Sequence, residues 1–201
     1  MQIPSKARAV IIGGGVIGCS IAYHLGKLGW KDVVLLERKK LTCGTTWHAA
    51  GLIAQLRATQ NMTRLAKYSQ ELYFGLEAET GVATGFKRNG SITVALTDER
   101  MEELRRSAAM ARAFGVEIDE ITPGDIGGRY PGLATGDVVG GVWLPKDGQA
   151  DPVNITQAWR RERAILARQF CKGLRLRQSS RPMATSRVLR LIMGRLRLTM
   201  W

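Results

Sequence analysis

Sulfur and imidazole are scarce in this chain of 201 residues. The three cysteines, Cys19, Cys43 and Cys171, form no CxxC and have no ligand-like spacing, which excludes a zinc ribbon or a thioredoxin-type couple. An odd set of this kind fits a reducing compartment. Histidine occurs twice, at His24 and His48, and neither belongs to a cluster of metal ligands. No apolar run approaches the ~20 residues of a membrane-spanning helix. The chain enters a strand pattern within about ten residues of Met1, leaving no room for a secretory or transit signal. The expectation is a cytoplasmic protein with no resident metal and no membrane partner.

Acidic residues are missing from one region only. Residues 159–201 hold 12 Lys+Arg against the single acid Glu162, whereas residues 1–158 hold 18 against 16, so most of the net charge of +13 sits in the last fifth of the chain. The body is an ordinary soluble domain, and its charge gives no reason to expect a nucleic-acid partner.

The body opens with a nucleotide-binding pattern. Ala9-Val10-Ile11-Ile12 reads as a buried parallel strand running into Gly13-Gly14-Gly15-Val16-Ile17-Gly18. In this GxGxxG, Gly13 serves the tight turn, Gly15 lets the backbone approach a pyrophosphate, and Gly18 allows close helix-to-strand packing. The helix that follows carries Ile17, Ile21, Ala22, Leu25 and Leu28 as its apolar side and ends at Gly29. A second strand, Val33-Val34-Leu35-Leu36, ends in Glu37, where a carboxylate can accept from the adenosine ribose and would repel a 2′-phosphate. This pattern alone leaves FAD and NAD both open.

The next segment, Leu41-Thr42-Cys43-Gly44-Thr45-Thr46-Trp47-His48-Ala49-Ala50-Gly51-Leu52, resembles the flavin-attachment loop of the sarcosine and dimethylglycine dehydrogenases, flavoproteins of the D-amino-acid-oxidase type. The resemblance runs from about residue 8 to Ala158. It implies FAD as cofactor, covalently held at His48, with Gly13, Gly15, Gly18, Glu37, Arg38, Thr45, Thr46, Gly51 and Leu52 as further cofactor-binding residues. A histidine near neutral pH offers the imidazole nitrogen that attack on the flavin 8α-methyl carbon needs. The resemblance also implies oxidation of an N-methylated amino acid at its N-methyl carbon. The resulting iminium goes to water or to tetrahydrofolate held in a C-terminal domain absent here, and the electron acceptor is left unspecified. Arg57 is a candidate for attracting the substrate carboxylate, set against a plain surface role. His24, inside the first helix, reads as structural.

The remaining body reads as a helix over 61–80, an Asn89-Gly90 turn into a strand at 91–95, and an amphipathic helix from Asp98 to Phe114 closed by Gly115. A capped helix follows at Thr122-Pro123-Gly124-Asp125, then a strand at 138–144, and a helix starts at Asp151-Pro152. The fold class is α/β: a Rossmann-type FAD-binding domain with the start of an antiparallel substrate-binding layer, incomplete. Residues 1–83 form the Rossmann portion, 84–150 begin the substrate layer, and 151–158 return to the FAD domain.

Residues 159–201 read as a frame-shifted tail. Rebuilding codons one base earlier forces Leu from Phe170-Cys171, Gly from Met183-Ala184 and from Met193-Gly194, and Val from Met200-Trp201. With wobble bases free, the tail then becomes a helix end and β-branched strands that resemble the family's continuation. On this reading the chain is a truncated, inactive fragment. Two other readings compete: an NAD-dependent Rossmann oxidoreductase, which leaves His48 unexplained, and a binding protein whose arginines grip nucleic acid.

Overall fold

The computed structural model describes residues 6–161 and the strand segments 169–172, 176–177, 188–191 and 194–198. The expected frame-shifted tail lies largely outside those residues. In chain order the elements are β1 (Lys6–Ala7), β2 (Ala9–Ile12), α1 (Val16–Lys27), β3 (Val33–Glu37), a 3₁₀ turn (Thr46–His48), β4 (Leu52–Ile53), α2 (Gln60–Thr80), β5 (Ser91–Ala95) and α3 (Asp98–Ala113). There follow β6 (Asp119–Ile121), α4 (Pro123–Arg129), β7 (Gly140–Leu144), β8 (Gly148–Gln149), α5 (Pro152–Arg161), β9 (Gln169–Lys172), β10 (Leu176–Arg177), β11 (Val188–Leu191) and β12 (Gly194–Leu198). Two compact units result. The first takes the chain up to Ala50, Leu76–Thr84 and the segments from Asp151 onward, and the second takes Gly51–Gly75 and Gly85–Ala150.

In the first unit a parallel sheet runs in the order β2-β3-β9, with Ala9 opposite Val33 and Ile12 opposite Leu36. Val33 to Leu36 are all buried, as the unbroken apolar run of a strand covered on both faces requires. Helix α1 buries Gly18, Cys19, Ala22 and Tyr23. The apolar stripe read from the sequence is therefore only partly the buried one: Ile17 is 73% exposed, Ile21 46% and Leu28 74%. Gly18 meets β2 and its turn directly, since a Cβ there would run into the Gly13 carbonyl and the Ile11 side chain.

The Tyr23 hydroxyl donates to both carboxylate oxygens of Glu79, Lys27 Nζ lies 3.1 Å from the same carboxylate, and Trp159 of α5 packs against the Tyr23 ring. Burial, the largest cause, pushes the Tyr23 hydroxyl up to about 12. A second sheet, in the order β1-β12-β11-β10, sets Arg190 opposite Arg195, Arg177 opposite Arg190 and Lys6 opposite Arg197.

In the second unit β7 lies between β5 and β6, antiparallel to both. Helix α3 lays Met101, Leu104, Ala108 and Ala111 on the core formed with Ala95, Val116, Ile118, Val142 and Leu144, the face expected from its periodicity. Thr97 caps α3, and Thr122 with Asp125 forms the reciprocal capping box of α4. Helix α2 covers the span read from the sequence but buries polar side chains. Met62 and Leu65 are more than half exposed, while Thr63 and Gln70 are buried with hydrogen bonds to Arg57, Gln55 and the Lys146 carbonyl. Among the described residues no helix is long and apolar enough to cross a membrane, and no group of His, Cys, Asp and Glu could hold a metal ion.

Candidate cofactor site

The turn between β2 and α1 is built around glycines for three separate reasons. Gly13 sits at φ +108°, a conformation that a side chain disfavours. A Cβ on Gly18 would lie 2.0 Å from the Gly13 carbonyl oxygen, and one on Gly15 would lie 3.0 Å from Thr46 Oγ1. Gly15 is the N-cap of α1 and carries no capping side chain, and the first turn contains no acid. The helix therefore brings no acid of its own to its positive end.

The loop after β3 folds back onto this turn. The Thr42 N–H donates to the Gly14 carbonyl at 3.0 Å, with Thr42 itself in the left-handed region at φ 68°. The Val16 N–H donates to Thr46 Oγ1 at 2.9 Å. Thr46 therefore caps the first helical N–H, leaving those of Ile17 and Gly18 without a partner inside the helix. Glu37 Oε2 accepts from the Gly14 N–H at 2.7 Å and Oε1 from the Lys39 N–H at 2.8 Å. The carboxylate is thereby fixed at the end of β3, beside the turn.

Gly13, Gly15, Gly18, Glu37, Thr45 and Thr46 together line a hollow of about 900 Å³, joined by Gly44 and Ala49 of the same loop. Arg38 and His48 lie in the same unit but not in the lining. His48 is exposed at the end of the 3₁₀ turn, its backbone N–H donating to the Thr45 carbonyl and its ring 3.9 Å from that of Trp47. Gly51, at φ +76°, and Leu52, 74% exposed, belong to the second unit. That unit has its own hollow of about 300 Å³, lined mainly by apolar residues such as Ile53, Met62 and Leu65 with Arg57 and Tyr73. Burial raises the Tyr73 hydroxyl above its ordinary value. The sequence held no signal for Thr42, a β-branched residue at positive φ, or for Leu41, buried against the glycine turn.

The glycine turn, the helix end with no acid of its own and the acid at the end of β3 form a dinucleotide cradle whose close approaches a Cβ would fill. Comparison with known proteins agrees. The regulatory subunit of mouse (Mus musculus) mitochondrial pyruvate dehydrogenase phosphatase is 38% identical over 79% of this chain and 18% of its own length. Mitochondrial dimethylglycine dehydrogenase of Rattus norvegicus is 42% identical over 76% of this chain and 18% of its own length. The chain thus spans less than a fifth of these curated relatives. Among solved structures, L-proline dehydrogenase from P. horikoshii superposes with a TM-score of 0.89 at 26% identity, covering 98% of this chain and 52% of that one. The DAO family, described as FAD dependent oxidoreductase, matches residues 8–177, and the chain belongs to it.

Proposed function

We propose that this chain is the FAD-binding start of an amine dehydrogenase or oxidase that acts on N-methylated glycines such as sarcosine or dimethylglycine, with His48 as the covalent attachment point. The observation that carries the reading is the cradle itself: a Cβ at Gly18 or Gly15 would close it, and the first turn of α1 offers uncommitted N–H groups. Bound FAD supplies a two-electron acceptor. The residues of this chain do the holding. Gly13 and Gly15 admit the pyrophosphate, the N–H groups of Ile17 and Gly18 donate to it, and Glu37 takes the ribose hydroxyls at the cost of sharing its present N–H partners. Thr46 stiffens the loop through Val16, so that His48 is presented from a short 3₁₀ turn rather than a free strand. In the second unit Arg57 is the cation lining the smaller hollow, suited to a substrate carboxylate.

We propose further that this chain alone turns over no substrate, because it spans 18% of the dehydrogenase it resembles. On this proposal tetrahydrofolate and the electron acceptor would be met by a portion of the enzyme outside the segment matched here. The regulatory name of the mouse relative supports a second reading, a flavin-type fold kept for interaction. Binding and reduction separate the two. A visible flavin spectrum on incubation with FAD supports the cofactor reading. Anaerobic bleaching by dimethylglycine, in a preparation joined to the remainder of the fold, supports the dehydrogenase. Binding without bleaching supports the regulatory reading, and absence of FAD binding refutes both cofactor roles.

A further inference from the structure

The second unit contains a polar cavity of about 250 Å³ that neither the cofactor nor Arg57 uses. Met62, Leu65, Ser69 and Tyr73 line the Arg57 hollow, whereas Lys67, Gln70 and Glu71 line the polar cavity, and helical periodicity puts the two sets on different faces of α2. Two of the lining residues, Gln55 and Gln70, are buried, at 3% and 0% exposure. The Lys146 carbonyl can only accept and the Arg88 guanidinium can only donate, so Gln70 turns its Nε2 to the former at 2.8 Å and its Oε1 to the latter at 3.4 Å. Gln55 then donates from Nε2 to Gln70 Oε1 at 3.1 Å, which leaves Gln55 Oε1 as an acceptor with no donor among the described residues. A buried acceptor left in this state is costly and calls for a partner.

The charges around the cavity are only partly committed. Lys146 Nζ pairs with Glu117 at 3.1 Å. Lys67 Nζ donates once, to the Gly115 carbonyl at 2.6 Å, and the Arg88 guanidinium lies 3.7 Å over the Phe74 ring, so both keep further N–H groups. Glu71 follows Lys67 by one helical turn, yet its carboxylate makes no ion pair or hydrogen bond among the described residues. Two cations, one carboxylate and one amide oxygen thus line the same small space with donors or acceptors to spare.

We propose that this cavity binds a small zwitterionic amino acid, its carboxylate held by Arg88 and Lys67 and its ammonium by Glu71 and Gln55 Oε1. A plain anion would suit the cations but leave both acceptors unmet, and a plain cation would do the reverse. The volume lies below the range of about 300–1,000 Å³ of drug-sized sites, which confines the ligand to a few heavy atoms. The site is separate from the one proposed at Arg57, the inference stands apart from the FAD reading, and its test contains no flavin.

The test titrates glycine into the isotope-labelled 201-residue chain and follows the side-chain amide signals of Gln55 and Gln70 by NMR. Both signals should shift with a Kd of about 1 mM or tighter, while acetate, without the ammonium, and glycinamide, without the carboxylate, should each bind at least about tenfold more weakly. Glu71→Gln alters an exposed carboxylate with no protein partner, so it should keep the circular dichroism of the parent and bind glycine at least about tenfold more weakly with acetate binding undiminished. Arg88→Gln should weaken glycine and acetate alike. The proposal is overturned if glycine leaves both amide signals unmoved, as in a cavity that holds only water. It is equally overturned if acetate or inorganic phosphate matches glycine, which would make this a plain anion site, or if Glu71→Gln binds glycine as the parent does.

Discussion

Replacing Gly18 by alanine is the sharpest perturbation of the glycine turn, because the new Cβ would stand 2.0 Å from the Gly13 carbonyl oxygen, where ordinary contact begins at 3.4 Å. That oxygen is backbone, fixed by the Gly13 N–H bond to the Leu36 carbonyl, so relief requires α1 to move off the sheet by roughly an ångström. Overpacking of this kind costs about 1–3 kcal/mol, and the helix-propensity gain of Gly→Ala returns about 1 kcal/mol. A clash with fixed backbone stands at the upper end of that range, so the net expectation is a loss of about 2 kcal/mol together with weaker FAD binding. Gly14→Ala is the control. Its Cβ would meet the Leu41 side-chain tip, which is flexible and can leave at a rotamer cost of about 1 kcal/mol, and would stand 3.1 Å from Glu37 Cβ and Cγ, which need give by only a few tenths of an ångström. Reduced unfolded-state entropy offsets that by about 0.4–1 kcal/mol. Urea unfolding of the two variants beside the parent measures both. Equal losses, or a Gly18→Ala variant as stable as the parent, would refute the argument from close approach.

Three further outcomes follow from particular contacts. Because the Tyr23 hydroxyl is raised to about 12 in the fold and ionises near 10 when unfolded, its contribution is intact below pH ~10 and fades as pH climbs to about 12. Tyr23→Phe should flatten the fall in urea midpoint over that window, and an unchanged slope would refute it. Asp147, 3% exposed, accepts from the Gln55 N–H at 2.9 Å and the Ser91 hydroxyl at 2.7 Å. Asp147→Ala strands two donors and should cost about 2–4 kcal/mol by denaturant titration, and a loss under about 1 kcal/mol would show that water replaces the carboxylate. Sequencing the gene tests the proposed offset of residues 159–201: a reading one base earlier should stay open and continue with family-like sequence, and a stop codon within it would dispose of the idea.

Much of the first unit was legible in the sequence, because strand, glycine turn, helix and terminal acid each carry a local cause. β2, α1, β3 and the φ +79° of Gly29 fall where residue types alone put them. The caps of α3 and α4 were equally readable, since a capping box is a four-residue fact. The misses are long-range. Which stripe of α1 is buried depends on what lies across the sheet, so Ile17 and Ile21 looked like core and Tyr23 did not. Strand β6, only Asp119–Ile121, has no alternation to announce it and exists because β7 offers an edge. No motif sets Asp147 apart in the sequence. Its carboxylate is the buried acceptor that ties Gln55 to Ser91, a role that no spacing along the chain encodes.

The claim that this chain cradles FAD and fixes it at His48 meets its most direct measurement in one peptide. Trypsin cuts after Lys40 and Arg57, releasing residues 41–57 with His48 near the middle. From FAD-loaded protein joined to the remainder of the fold and precipitated in acid, that peptide should carry the mass and absorbance of a flavin, and His48→Ala should abolish the adduct while FAD still binds reversibly. A peptide 41–57 at its unmodified mass with all flavin in the acid supernatant, or an adduct on another peptide, would contradict the account.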